Sequence, residues 1–303
     1  MRMGKNTDFF TPAEMMVEAE KYASGKTKKS TSTILGLAAM AGLFIGLAFV
    51  FYITVTTGSS SAGVAWGMSK FVGGVVFSLG LILVVICGAE LFTSSVLTIL
   101  AWANKEISGA KMFGIWGKVY FGNFLGAMLL LLLVTGAGLY QTGGGQWGLN
   151  ALNIAQHKLH HTFIEAFTLG ILCNLLVCLA VWLTFSSHNA FTKAFMTILP
   201  VALFVSSGFE HCVANMFMIP LGITIHAFAP ETFWSTVGVD AAHYADLTIA
   251  NFIFKNLIPV TLGNIVGGAI LVGMSNWCVF SLPYKNKPHH DEKPAEGSSV
   301  TEH

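Results

Sequence analysis

Arginine is almost missing from this chain: Arg2 is the only one in 303 residues, and charged side chains make up 10% of the total. Soluble domains carry roughly 25% charge. That scarcity excludes a soluble fold and any buried site that depends on a guanidinium. The few charges are also segregated. None lies between Lys29 and Lys70, and Glu90 stands alone between Lys70 and Lys105, so each gap accommodates a bilayer crossing of about 20 residues. The apolar runs show no period-2 alternation, which removes a transmembrane β-barrel. Lipid offers no partner to a free backbone amide, so such runs must be helical, or broken only where protein or a cavity satisfies the break. Cysteine motifs are lacking too. Cys87, Cys173, Cys178, Cys212 and Cys278 all fall in apolar stretches without a CxxC pair, so no disulfide framework and no thiolate metal or redox site is indicated. The first 33 residues hold no apolar stretch, so an ordinary cleavable signal peptide is not expected.

What is present is a set of six apolar spans, near 34–56, 71–100, 113–139, 163–186, 194–226 and 256–282. The fold class expected is therefore an all-α integral membrane protein with six transmembrane helices. Residues 1–33 form a cytoplasmic N-terminal segment, 34–284 the six-span membrane domain, and 285–303 a charged, Pro/Gly/Ser-rich tail expected to be disordered. Within the N-terminal segment Thr11, Pro12 and Glu14 match an N-cap, a first-turn proline and a capping-box carboxylate. Met15, Met16, Ala19 and Tyr22 then give one apolar stripe, expected to lie as an interfacial anchor or to plug a pore mouth. All basic residues except Lys70, Lys158 and Lys255 fall on the side of the termini, which puts both termini in the cytoplasm by the positive-inside rule.

The chain also repeats itself. Span three contains Gly122-Asn123-Phe124-Leu125-Gly126 and span six Gly263-Asn264-Ile265-Val266-Gly267. Span two carries Gly88-Ala89-Glu90 and span five Gly208-Phe209-Glu210-His211. Each half thus places Gly-x-Glu in its second helix and Gly-Asn-x-x-Gly in its third. Three spans per copy, about 34–139 and 163–282, force the second copy to enter the membrane from the opposite face. The expected result is two inverted three-helix repeats with any site at the midplane. Gly-x-x-x-Gly alone also marks close helix packing.

A glutamate at mid-span costs about 2.5–3.5 kcal/mol on insertion scales, so a matched pair at Glu90 and Glu210 needs a reason. Spans two and five are expected to break there. Gly88 and Gly208 supply conformational freedom, while Thr93, Ser94, Ser95 and Ser206-Ser207 are types that end or restart helices; Pro200 and Pro220 flank the second break. Two half-helices starting at the midplane would aim positive ends at a small anion. Glu90 and Glu210 are expected to bind the freed N–H groups and fasten the breaks. His211 can exchange a proton near neutral pH. Lys158 with His157, His160 and His161 suggests a basic vestibule rather than a metal site, and no cofactor is called for. An intramembrane enzyme using His211 and Glu210 lacks a nucleophile elbow or phosphate loop.

At Val85-Ile86-Cys87-Gly88-Ala89-Glu90-Leu91-Phe92-Thr93-Ser94, at Gly170 through Ala180 and at Ser207-Gly208-Phe209-Glu210-His211 the chain resembles the formate/nitrite transporter family. That resemblance implies an aquaporin-like arrangement of the six spans, although Asn-Pro-Ala boxes are absent, in a homopentamer of the bacterial inner membrane with one pore per protomer. The implied cargo is formate or a related small monovalent anion such as nitrite or hydrosulfide; no nucleic acid is involved. The resemblance further implies that Thr93 and His211 form a central selectivity pair and that Leu91 and Phe204 make one apolar constriction. By the same likeness Phe77 and Leu81 line the other end, and Asn174 and Val177 line the pore. Lys158 is then a vestibule lysine and Asn264 a neighbour of His211. The N-terminal segment from Thr11 to Tyr22 would gate.

Overall fold

A computed structural model describes residues 9–282, whose regular structure is all helical, with no strand among them. Helix α1 (Pro12–Thr27) starts as its sequence directs: Thr11 N–H donates to Glu14 Oε2 at 2.7 Å, and Glu14 N–H donates to Thr11 Oγ1 at 3.4 Å. Long apolar helices follow as α2 (Thr31–Thr56), α3 (Trp66–Ile86), α5 (Gly109–Gly136) and α7 (Phe163–Thr184). Between them lie α4 (Phe92–Ala103) and α6 (Gln146–His157). The second half continues with α8 (Ala190–Ser206), α9 (Cys212–Phe228), the short α10 (Glu231–Val237) and a last helical run, α11, over 249–282.

Among the described residues five helices are long and apolar enough to cross a bilayer, and α4 and α8 are apolar but shorter. The chain is thus a multi-pass membrane protein. Helix boundaries differ from expectation by several residues at α3, α5, α8 and α11, because polar ends such as Trp66–Lys70 and Ile249–Lys255 remain helical beyond the apolar run. Two helices lie where the sequence suggests only loop: α6, and the short α10 after α9. The tail, 285–303, lies outside the described residues.

The Gly-Asn-x-x-Gly segments set the packing. A methyl group on Gly126 would sit 1.8 Å from Ala39 O, and one on Gly263 would sit 2.1 Å from Phe167 O. Helix α5 therefore lies directly on α2, and α11 directly on α7, at backbone contact, as small residues allow in lipid where dispersion replaces the hydrophobic drive.

Candidate functional site

Two backbone reversals, each a glycine of left-handed conformation that ends a helix, build the site. Helix α3 ends at Ile86, Gly88 takes φ +70°, and Ala89 N–H closes the end on Val84 O at 2.9 Å. Helix α8 ends at Ser206, Gly208 takes φ +73°, and Phe209 N–H closes on Phe204 O at 2.9 Å. Both are Schellman ends, in which a glycine occupies the left-handed region that a Cβ disfavours. After each, the chain runs extended through a glutamate and restarts as α4 at Phe92 or as α9 at Cys212. Pro200 and Pro220 sit inside α8 and α9; the reversal belongs to Ser207-Gly208 and not to them.

Asparagines, not the glutamates, satisfy the restarted helices. Asn123 Oδ1 accepts from Phe92 N–H at 2.8 Å, and its amide donates to Ala38 O and Glu90 O, each at 2.8 Å. Asn264 repeats the pattern: its Oδ1 accepts from Cys212 N–H at 2.9 Å, and its amide donates to Gly170 O at 2.8 Å and Glu210 O at 3.0 Å. A neutral amide both donates and accepts, so one side chain serves a free N–H and a free carbonyl together. A carboxylate can serve only the N–H. This corrects the role expected for Glu90 and Glu210.

The carboxylates bind cations instead. Glu90 pairs with Lys26 and Lys29 and accepts from Ser95 Oγ at 3.2 Å. Glu210 pairs with Lys158 at 2.9 Å and accepts amide protons from Asn215 at 2.6 Å and Asn256 at 3.1 Å. Both glutamates are 1% exposed, where an unpaired carboxylate would be far more costly than a paired one. The sequence alone does not single out Lys26, Lys29, Asn215 and Asn256. Its signals for them are faint: basic residues just ahead of the first span, and asparagines within apolar runs.

Between the two reversals, Thr93 Oγ1 lies 3.2 Å from His211 Nε2. His211 is also the N-cap of α9, where its Nδ1 accepts Ala214 N–H at 3.1 Å. An acceptor Nδ1 puts the proton of the neutral ring on Nε2, facing Thr93. Asn174 donates to Thr93 O at 3.0 Å and to Asn264 O at 2.6 Å, so it ties the two halves together; its amide is spent on backbone and it is fully buried.

Two cavities approach this pair. The first, about 450 Å3, is lined by Phe77, Phe204 and His211 together with Glu210, Lys158, His157, His161 and Lys70. The second, about 400 Å3, lies at the Gly88–Glu90 reversal under α1 and is lined by Tyr22, Lys26, Lys29, Val84 and Ser94 among others. They share no lining residue. Leu81, Leu91, Thr93, Asn174 and Val177 line neither and are at most 3% exposed. Phe77 and Phe204 meet at 6.1 Å between ring centroids, and Phe204 lies 6.0 Å from the His211 ring. Phe204 therefore packs beside Phe77 and the His211 ring on the lining of the first cavity, which Leu91 does not line. His160 turns away to Asp246, 2.7 Å from its Oδ2. Burial, with positive neighbours at His161 and Lys158, pulls His157 below its ordinary pKa. Among the described residues no group of three potential metal ligands occurs.

The comparisons with known proteins agree with this geometry. Residues 13–278 match the family model described as Formate/nitrite transporter. The formate channel FocA of Escherichia coli K12 is 51% identical over 290 residues, covering 96% of this chain and all of the relative. FocA of Haemophilus influenzae is 52% identical over 264 residues, covering 87% of this chain and 92% of that one. A solved pentameric formate channel with formate bound superposes with a TM-score of 0.77 at 53% identity, covering 84% of this chain and 98% of the other. A matched backbone, matched over nearly its whole length and carrying the paired glycine reversals, leaves one assignment: this chain belongs to the formate/nitrite transporter family.

Proposed function

We propose that the protein is a channel for formate and similar small monovalent anions, running from the first cavity past Thr93 and His211 to the second. The reading is of six spans, the second and fifth interrupted at Gly88–Leu91 and Ser207–His211, arranged as two inverted repeats. The matched reversals and the matched bonding of Asn123 and Asn264 support it. The assembly is a homopentamer in the bacterial inner membrane with both termini cytoplasmic, by analogy with the solved pentameric relative and by charge asymmetry.

One observation carries the reading: a hydroxyl and an imidazole facing each other between two cavities, where two helices begin. His211 Nε2–H and the Thr93 hydroxyl act as the two donors to a carboxylate in transit, while Phe77, Phe204 and Leu91 strip its water. The capped Nδ1 makes His211 a neutral donor in the resting state. To protonate formate it would have to release Ala214 N–H, so hydrogen bonding is the better-supported of its two roles.

Formate flux into proteoliposomes tests this directly. His211→Phe removes a hydrogen bond to a charged group worth about 1.5–3 kcal/mol, so flux should fall roughly tenfold or more, with its pH response altered. Unchanged flux and pH profile would sink the role. Parallel nitrite and hydrosulfide fluxes decide which anion is preferred.

A further inference from the structure

Two lysines reach the first cavity, and only one has charge to spare. Lys158 is committed: its Nζ lies 2.9 Å from Glu210 Oε1 with side chains 12% and 2% exposed, so the pair presents almost no net charge to the cavity. Lys70 is held differently. Its Nζ donates to Tyr52 OH at 3.2 Å and lies 6.0 Å from the Tyr52 and Trp66 ring centroids. Among the described residues no carboxylate pairs with it. The backbone that carries it is fixed, because Ser206 Oγ donates to Lys70 O at 3.1 Å. Apart from the imidazoles of His157 and His161, which add positive charge only when protonated, the net charge lining this cavity is therefore that of Lys70.

We propose that Lys70, seated between Tyr52 and Trp66 at the rim of the first cavity, is the residue that captures small monovalent carboxylates before they reach Phe77 and Phe204. This rests on the formate-conduction reading and names the site at which conduction begins from that side. The aromatic faces suit the task. They hold the ammonium by attraction to their π-electrons, yet, unlike a carboxylate, they leave its full charge to act on an incoming anion. Walls of low dielectric then concentrate that field in the mouth. Lys158, neutralised by Glu210, cannot supply it.

The test is formate flux in proteoliposomes of known orientation, with formate applied at the Lys70 face and concentration and ionic strength both varied. For K70Q the half-saturating formate concentration should rise roughly three- to tenfold, and the inhibition of flux by added salt should largely vanish. K70R, which keeps the charge, should stay within about twofold of the parent. A K70Q protein with unchanged half-saturation and salt response overturns the assignment. So does a K70R protein as impaired as K70Q, since that outcome makes the Tyr52 contact structural. If the parent protein itself carries no formate, it is the conduction reading that fails and not this residue's role within it.

Discussion

At the scale of single residues, Asn123 and Asn264 do the same work in the two halves, but only Asn264 serves the helix that His211 caps. Each bridges a restarted helix and a reversed carbonyl at full burial. Replacing either by alanine strands buried donors and acceptors, at about 1–3 kcal/mol per group. Asn123→Ala and Asn264→Ala should therefore lower thermal stability in detergent by similar amounts, while Asn264→Ala should depress formate flux more in those molecules that fold. Equal flux losses would show that the His211 cap has no special weight. His157 offers a pH signature. Its pKa is held below the usual 6.5 by burial, so on acidification the unfolded chain takes up its proton first. Stability from this group is present above about pH 6.5 and is lost as pH falls. His157→Gln should flatten the acid-side fall in melting temperature between pH 7 and 5, and an unchanged slope would assign that fall to other groups.

At the scale of elements, the glycines separate into those that bend the chain and those that let helices touch. Gly88 and Gly208 hold left-handed backbone with open space around them, so alanine there costs only the conformational strain of about 1–2 kcal/mol. Gly126 and Gly263 have ordinary backbone but no room, with Ala39 O and Phe167 O inside 2.2 Å of any added carbon. Alanine at either should push whole helices apart and lower the yield of folded protein more than at Gly88. Gly114, with nothing within 4 Å, is the control and should tolerate alanine in the same expression and melting assays. Both reversals could be read in the sequence, because a glycine two residues ahead of a glutamate, inside an apolar run, fits a broken helix far better than a continuous one. The partners of those glutamates could not be read the same way. Lys26 and Lys29 reach Glu90 across more than sixty positions of chain, and a contact at that separation leaves no local pattern. Phe77 and Phe204 illustrate the same limit, since apolar residues occupy every turn of these helices and only packing says which two face each other.

At the scale of the whole molecule, α1 joins the membrane fold rather than lying apart from it. Met16, Ala19 and Ala23 are buried, Tyr22 OH donates to Ser94 Oγ at 3.1 Å, and Lys26 and Lys29 close on Glu90 over the second cavity. Burial works against the Lys26 ammonium, but Tyr22 and Glu90 outweigh it and hold its pKa above the ordinary 10.5. A raised pKa means that this contribution is intact below about 10.5 and is lost only as pH climbs beyond it. Alkaline conditions up to pH 9 should leave α1 docked. Removing the charges is another matter. Breaking a buried pair by deleting one partner costs about 3–5 kcal/mol when the other charge is stranded, so Glu90→Gln, which strands Lys26, should loosen α1 strongly, and Lys26→Met, which leaves Glu90 to the partly exposed Lys29, should loosen it less. The double variant removes both buried charges, leaves only the partly exposed Lys29 without its carboxylate, and should lose less than the two single losses added together. Hydrogen exchange across Tyr22–Thr27 reads the undocking, and formate flux reads its consequence. If α1 covers the second cavity in the way its contacts imply, faster exchange in Lys26→Met should come with higher flux. Faster exchange with flux unchanged would make α1 a structural strap, and the closure between the cavities would then rest on Leu91 and its buried neighbours alone.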